Sequence, residues 1–200
     1  IDHRALIPRP ETEYLYEICL EILEQERTPT IVDLCTGSGA LALALKYARP
    51  DAMVVGTDIS QPALTLARSN ADVLGLDVGF RHGDLFAALP QKLRGSCDLI
   101  VSNPPYVSET EFADLPVEIS RHEPRRALVA GADGLDVLRM IAEGAMVWLR
   151  AGGNLICEIG ETQGDSCLDL FTSYAPEIIP DLTGRPRYVR GRAPQLPKLH

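Results

Sequence analysis

The chain has 200 residues, of which 46% are hydrophobic and 24% are charged, and its formal net charge is −9. This length accommodates one α/β domain with a single buried core. Residues 185–200 hold five basic residues and no acidic one, so the rest of the chain has 14 basic against 28 acidic residues, a net −14. Such an acidic body argues against a nucleic-acid partner, because nucleic-acid binding depends largely on neutralising phosphates.

The five cysteines and four histidines are scattered and form neither a C-x-x-C pair nor a metal-binding spacing. Most of the cysteines stand in apolar surroundings, so we expect reduced, buried thiols and no metal site. No apolar run reaches the length needed to cross a membrane, and no signal peptide opens the chain. We therefore expect a cytoplasmic protein without a membrane partner.

The hydrophobic pattern predicts alternating helices and strands. In the first half of the chain these are an extended lead-in over residues 4–10, a helix over 11–27, a strand over 30–34, a helix ending at 47, a strand over 53–57, a helix over 62–74 and a strand over 78–82. In the second half they are a strand over 98–101, a long loop over 102–133, a helix over 134–149, a strand over 154–159, a helix over 165–173 and a hairpin of strands over 178–182 and 188–189.

This order of elements predicts the fold class. Strands that alternate with helices favour a doubly wound, mainly parallel sheet, and the last two runs add an antiparallel C-terminal hairpin, which makes seven strands. We expect residues 1–28 to be a lead-in segment and helix, and residues 29–200 to be the functional domain. The loop over 102–133 is long enough that we expect it to be functional or to contain structure of its own.

The ends of the predicted strands carry candidate ligand-binding residues, and ligands of open α/β sheets bind at that edge. Gly37 and Gly39 would let a ligand approach the backbone, next to free N–H groups at the start of a helix. Asp58 follows the second strand and suits the two hydroxyls of a ribose; the alternative is a helix cap, for which Ser60 competes. This glycine pattern also fits a dinucleotide-binding protein.

The third strand ends at Asp84, which suits the exocyclic amine of an adenine. Leu85 and Phe86 would flank the flat base. The alternative for Asp84 is a turn at the end of the strand, without a ligand.

The fourth strand runs into the elbow, by which we mean Asn103-Pro104-Pro105-Tyr106. Two prolines fix successive φ angles and remove two N–H donors, and a residue before proline is held in the extended region. The elbow therefore displays the amide of Asn103 and the carbonyls of Asn103 and Pro104 as rigid acceptors, beside the ring of Tyr106. These groups suit holding the two hydrogens of a planar –NH2 while its nitrogen is attacked. A turn that is merely rich in proline is the alternative.

Eight segments together resemble a known family. They are LIPRPETE at 6–13, DLCTGSGA at 33–40, DIS at 58–60, GDLF at 83–86, SNPPY at 102–106, EP at 123–124, GLD at 134–136 and EIG at 158–160. Over nearly its whole length the chain resembles the HemK-type S-adenosylmethionine-dependent protein glutamine N5-methyltransferases. The resemblance implies a Rossmann-like class I methyltransferase fold, with S-adenosylmethionine as cofactor and S-adenosylhomocysteine as product.

The resemblance also implies roles for individual residues. The cofactor would be bound by Cys35, Thr36, Gly37, Ser38, Gly39, Asp58, Asp84, Leu85 and Asn103. The target glutamine would be held by Asn103, Pro104, Pro105 and Tyr106. Of these four, the catalytic residues would be Asn103, Pro104 and Tyr106. The family usually has glycine where Cys35 stands, so this chain adds a side chain next to the methionine end of the cofactor.

The partner implied by the resemblance is a peptide chain release factor, whose Gly-Gly-Gln glutamine is modified, or a ribosomal protein in a sister branch. Family members also carry an N-terminal helical domain, which we do not expect among residues 1–200. Two classes of protein remain as alternatives to this family. Adenine-N6 methyltransferases share the elbow, but they flip a base into the site and favour a basic face. The second alternative is a cofactor-binding module without turnover. A nicotinamide-binding protein is a third, although hydride transfer needs no amide clamp.

Overall fold

The computed structural model describes residues 10–115 and 124–195. A seven-stranded sheet with the order β3-β2-β1-β4-β5-β7-β6 forms its centre. The strands are β1 (Thr30–Leu34), β2 (Met53–Asp58), β3 (Gly79–His82), β4 (Cys97–Ser102), β5 (Leu149–Glu158), β6 (Glu177–Pro180) and β7 (Pro186–Arg192). The first five strands are parallel, and β7 pairs antiparallel with both β5 and β6. The predicted fold class is confirmed.

Helices cover both faces of the sheet. They are α1 (Pro10–Leu23), α2 (Ala40–Ala48), α3 (Gln61–Leu74), α4 (Glu109–Ala113), α5 (Asp136–Ala145) and α6 (Gly164–Leu170). The first three pack with one face of the strands in a cluster that includes Leu15, Leu45 and Leu64. On the other face, a second cluster joins α5 and α6 to the strands through Leu138, Ile141 and Cys167. The domain is therefore doubly wound, with two apolar layers separated by the sheet.

The strand order reverses between β1 and β4, and this reversal positions the candidate site. The carboxyl ends of the neighbouring strands are level, because Leu34 lies opposite both Thr57 of β2 and Ser102 of β4. The hydroxyl of Ser102 also donates to the carbonyl of Leu34 at 2.8 Å. Residues that follow these three strands therefore start side by side at one edge.

Two element boundaries differ from the prediction in one stretch. The predicted helix over 134–149 ends at Ala145, and β5 begins at Leu149 rather than at residue 154. Leu149 pairs with Cys97 of β4, and the register shifts before Leu99. Trp148 and Leu149 are apolar and buried, so either a helix or a buried strand accommodates them, and pairing with β4 decides the outcome.

The long loop after β4 contains structure of its own where it is described. Its helix α4 begins with a capping box, in which the Ser108 hydroxyl accepts from the Glu111 amide at 3.2 Å and the Glu111 carboxylate accepts from the Ser108 amide at 2.9 Å. A 3₁₀ turn over Arg125–Ala127 follows, and Val107 pairs with Val129. The pairing of Val107 with Val129 therefore holds the two ends of this loop next to each other.

Three of the basic residues near the C-terminus, Arg187, Arg190 and Arg192, are part of the sheet. Arg187 and Arg190 lie on β7, and Arg185 directly precedes it. Their guanidinium groups pair with Asp181, Glu177 and Glu161 respectively. In the part of the chain that the structure describes, no helix has both the length and the apolar character required to cross a lipid bilayer.

Candidate active site

A cavity of about 390 Å³ lies at the carboxyl edge of the sheet, where the strand order reverses. Nine of the predicted site residues line it: Cys35, Thr36, Gly37, Ser38, Asp58, Asp84, Leu85, Asn103 and Pro105. Gly39, Pro104 and Tyr106 do not appear among its lining residues. The fold thus brings the turn after β1, the ends of β2 and β3, and part of the elbow to one cavity.

The turn between β1 and α2 contains three residues in the left-handed region of backbone conformation. Their φ values are 57° for Cys35, 55° for Gly37 and 78° for Gly39. A Cβ on Gly39 would lie 2.8 Å from Cζ of Phe80, so this glycine permits close packing of α2 against β3. Cys35 has a Cβ and adopts the same region at a cost of roughly 1–2 kcal/mol. Cys35, which stands where the family usually has glycine, therefore has a strained backbone and also lines the cavity.

Asp58 joins the turn to the end of β2. Its Oδ2 accepts from the Gly37 amide at 2.8 Å, and its Oδ1 accepts from the Ser60 amide at 2.7 Å. Ser60, not Asp58, caps α3, because its hydroxyl accepts from the Ala63 amide. Burial raises the pKa of Asp58 above its ordinary value, although the two amides and nearby Arg126 lower it. Each carboxylate oxygen retains acceptor capacity for a ligand hydroxyl.

Asp84 is exposed and makes no side-chain hydrogen bond within residues 10–115 and 124–195. It precedes the 3₁₀ turn Leu85–Ala88 without capping it through its side chain. Leu85 is buried and lines the cavity. Phe86, which we expected beside a base, stacks on Trp148 with ring centroids 6.3 Å apart and lies outside the lining.

Asn103 and Pro105 are the residues of the elbow that line the cavity. Asn103 Nδ2 donates to the hydroxyl of Thr12 at 3.2 Å, and both residues line the cavity. Within the described residues, Asn103 Oδ1 and the carbonyls of Asn103, Pro104 and Pro105 accept no hydrogen bond. Because an amide group is planar, a bond at Nδ2 also fixes the direction of Oδ1. Asn103 therefore offers Oδ1 as an unused acceptor at the cavity.

Tyr106, the last residue of the elbow, is not among the residues that line the cavity. Its hydroxyl donates to Glu158 Oε1 at 3.0 Å, and its carbonyl accepts from Gln163 Nε2 at 2.9 Å. A Cβ on Gly134 would lie 2.3 Å from that same carbonyl. These contacts hold Tyr106 against β5 and against the loops that follow β5 and precede α5.

Several lining residues were not assigned a role by sequence reasoning. They include Thr12, Asp33, Ile59, Arg126, Val129, Val137 and Met140. Thr12 stands in the lead-in motif, which supported the resemblance without suggesting a function for it. Arg126 lies beyond a long stretch of loop, and nothing local in the sequence indicates that the loop folds back to the cavity.

Asp33 is the one carboxylate buried inside β1 at this edge, and it is 2% exposed. The hydroxyl of Thr36 donates to its Oδ2 at 2.6 Å. Burial raises the pKa of Asp33 to about 7, and nearby Asp58 adds to the increase. A titratable group near neutrality thus lines the cavity.

The residues present fit S-adenosylmethionine. The carboxylate of Asp58 suits ribose hydroxyls. The glycine turn lets a ligand approach the backbone closely, although the Gly37 and Gly39 amides already donate to Asp58 and to the Thr36 carbonyl. Apolar side chains suit a flat base; they are Ile59, Leu85, Pro105, Val137 and Met140. A volume of about 390 Å³ falls within the range of small-molecule sites, about 300–1,000 Å³.

Comparisons with known proteins indicate the family to which the chain is similar. Residues 16–131 match the family model of the methyltransferase small domain. The chain is 47% identical over 193 residues to a release factor glutamine methyltransferase of Deinococcus radiodurans, covering 96% of this chain and 68% of that protein. It is 43% identical to a release factor glutamine methyltransferase of Cereibacter sphaeroides, covering 95% of this chain and 67% of that protein.

Two solved structures share the fold. A methyltransferase from Pyrococcus furiosus superposes with a TM-score of 0.68 at 15% identity, covering 95% of this chain and 85% of that one. The 16S rRNA N2 G1207 methyltransferase of T. thermophilus, in complex with AdoMet and guanosine, gives a TM-score of 0.65 at 23% identity, covering 94% and 44%. At such identities the similarity establishes the fold alone.

Proposed function

This chain belongs to the family of release factor glutamine methyltransferases, and from that premise we propose that its elbow holds the glutamine amide of a release factor beside the cofactor cavity. The reaction is transfer of a methyl group from S-adenosylmethionine to the N5 nitrogen of a glutamine side chain. The acceptor we propose is the glutamine of the Gly-Gly-Gln motif, in the cytoplasm where release factors act.

Residues at the cavity have distinct binding roles in this proposal. Asp58 would accept the ribose hydroxyls, while Cys35, Thr36, Gly37 and Ser38 would surround the methionine end. Asp84 and Leu85 would bind the adenine. Bound S-adenosylmethionine supplies a methyl group on a positively charged sulfur, which the amide nitrogen of the substrate can take.

The elbow supplies orientation and electrostatic stabilisation. An amide nitrogen is a weak nucleophile because its lone pair is delocalised into the carbonyl. Asn103 Oδ1 and the Pro104 carbonyl would accept the two hydrogens of the amide and aim its nitrogen at the methyl group. Their fixed dipoles favour the positive charge that develops on nitrogen. The observation that carries this role is that Asn103 lines the cavity with Nδ2 bound to Thr12, which leaves Oδ1 as an acceptor.

A protein acceptor suits the charge of the surface better than a nucleic acid. The three arginines at positions 185, 187 and 190 are paired with carboxylates, so they are poorly available to phosphates. The exposed Arg125, which precedes the cavity-lining Arg126, is paired with Glu109. We therefore propose a protein substrate and no direct binding of nucleic acid.

The test is incubation with radiolabelled S-adenosylmethionine and purified release factors, followed by peptide mapping. We expect label on the Gly-Gly-Gln glutamine and none on a release factor in which that glutamine is replaced by alanine. Label on a ribosomal protein or on DNA under the same conditions, with none on the release factor, would contradict the proposed acceptor.

A further inference from the structure

The first turn of α1 contacts the elbow across 91 residues of sequence. The hydroxyl of Thr12 accepts a hydrogen bond from Asn103 Nδ2 at 3.2 Å, and both side chains line the cavity. Within the described residues, this is the hydrogen bond that the side chain of Asn103 makes. Thr12 is therefore placed to decide which way the amide of Asn103 faces.

The orientation matters because the two ends of the amide have opposite hydrogen-bonding character. Oδ1 accepts, whereas Nδ2 donates, and only an acceptor can hold the N–H groups of a substrate amide. Pro104 restricts the backbone of Asn103, so rotation of its side chain is the main freedom left. A partner that binds Nδ2 removes that freedom and keeps Oδ1 available.

Thr12 is itself held in place by the core and by β7. Leu15, Cys19 and Leu23 of the same helix are fully buried. The hydroxyl of Tyr188 donates to the carbonyl of Glu11 at 2.7 Å, immediately before Thr12. Tyr188 is fully buried in β7. These contacts fix the backbone at Thr12 relative to the sheet, and its hydroxyl projects from that fixed backbone toward Asn103.

We propose that Thr12 is a positioning residue, whose hydroxyl orients the Asn103 amide so that Oδ1 faces the glutamine of the acceptor. This rests on the proposed function, because the benefit is realised when an amide substrate is held at the elbow. Thr12 acts through Asn103, so its loss should slow turnover while leaving affinity for the cofactor unchanged. If Thr12 instead binds the cofactor, its loss will weaken that affinity.

The first experiment compares Thr12→Val, which removes the hydroxyl at nearly constant shape, with Thr12→Ser, which keeps it. A neutral hydrogen bond of ordinary strength corresponds to a loss in kcat of about 3- to 10-fold for Thr12→Val, with KM for the release factor and the dissociation constant of the cofactor unchanged. Thr12→Ser should restore kcat. The matched control is Thr65→Val, which removes an exposed threonine hydroxyl bound to the Gln61 carbonyl on α3 and should leave kcat unchanged.

The second experiment asks whether Thr12 acts through Asn103. In an Asn103→Ala background, Thr12→Val should cause no further loss of kcat, because the group that it orients is gone. Additive losses, or weaker cofactor binding in Thr12→Val, would overturn the proposal. So would an unchanged kcat in Thr12→Val.

A third measurement needs no methyl transfer. Side-chain NMR should show slower hydrogen exchange of the Asn103 –NH2 group in the wild type and Thr12→Ser than in Thr12→Val. If the wild type labels no release factor, the proposed function fails, and this exchange measurement still decides whether Thr12 holds the amide. Equal exchange in the wild type and Thr12→Val would overturn the positioning role.

Discussion

The carboxylate of Asp58 accepts a hydrogen bond from the Gly37 amide at 2.8 Å. This bond ties the end of β2 to the glycine turn after β1, so the residue proposed to hold the ribose also braces the turn proposed to hold the methionine end. The shape of the cavity and its affinity for the cofactor are therefore coupled through one side chain.

Replacing Asp58 should act mainly on cofactor binding. Asp58→Ala removes two charge-assisted acceptors and leaves the Gly37 amide without its partner, so we expect affinity for S-adenosylmethionine to fall by about 10- to 100-fold. Isothermal calorimetry measures this directly. The matched control is Asp77→Ala at an exposed position outside the cavity lining, which should bind as the wild type does. Unchanged binding by Asp58→Ala would show that the ribose is held elsewhere.

Substitutions of Cys35 can measure how much its left-handed backbone conformation reduces the free energy of unfolding. Cys35→Ala and Cys35→Gly both remove the thiol, but only glycine also removes the Cβ, which is strained at a φ of 57°. After allowing for the greater freedom of glycine in the unfolded chain, we expect Cys35→Gly to be more stable than Cys35→Ala by about 0.5–1 kcal/mol. Urea denaturation of the two variants gives the difference. An alanine variant at least as stable as the glycine variant would contradict the strain.

Asp33 predicts a pH dependence of stability with a definite sign. Burial raises its pKa to about 7 in the folded state, whereas an unfolded chain has the ordinary value near 3.8. Between these values the folded state retains a proton that the unfolded state has lost, so the contribution of Asp33 to stability decreases as pH rises toward 7. Asp33→Asn is permanently neutral and should remove this decrease.

The measurement is urea denaturation of the wild type and Asp33→Asn at several pH values. The stability of Asp33→Asn relative to the wild type should increase by on the order of 2 kcal/mol from about pH 5 to about pH 8. A difference that stays constant over this range would mean that the Asp33 carboxyl titrates with its ordinary pKa.

Most of the fold was predictable because local patterns and long-range packing agree. The β-branched run at residues 30–34 became β1 with the predicted bounds, and Ser60 and Gly75 delimit α3 as their types suggest. One exception is the stretch around Leu149, where an apolar pattern suits helix and strand equally. There the pairing partner, Cys97, lies far away in sequence.

The part of the candidate site that lies directly after the ends of the strands was predictable. Asp58 and Asn103 reach the cavity because the carboxyl ends of parallel strands lie together. The bond between Thr12 and Asn103 was not predictable, since it depends on how α1 packs across the sheet. The hydrogen bond from the Tyr106 hydroxyl to Glu158 was not predictable either, because it depends on the position of β5 in the sheet.

The most direct test of the elbow is the single-turnover rate of methyl transfer to a release factor by Asn103→Ala. With saturating cofactor, we predict a rate about 10²- to 10³-fold below that of the wild type, comparable with removal of a fixed hydrogen-bonding group from an active site. Cofactor affinity, measured on the same variant, should fall far less than the rate. Transfer at the wild-type rate by Asn103→Ala would contradict the account.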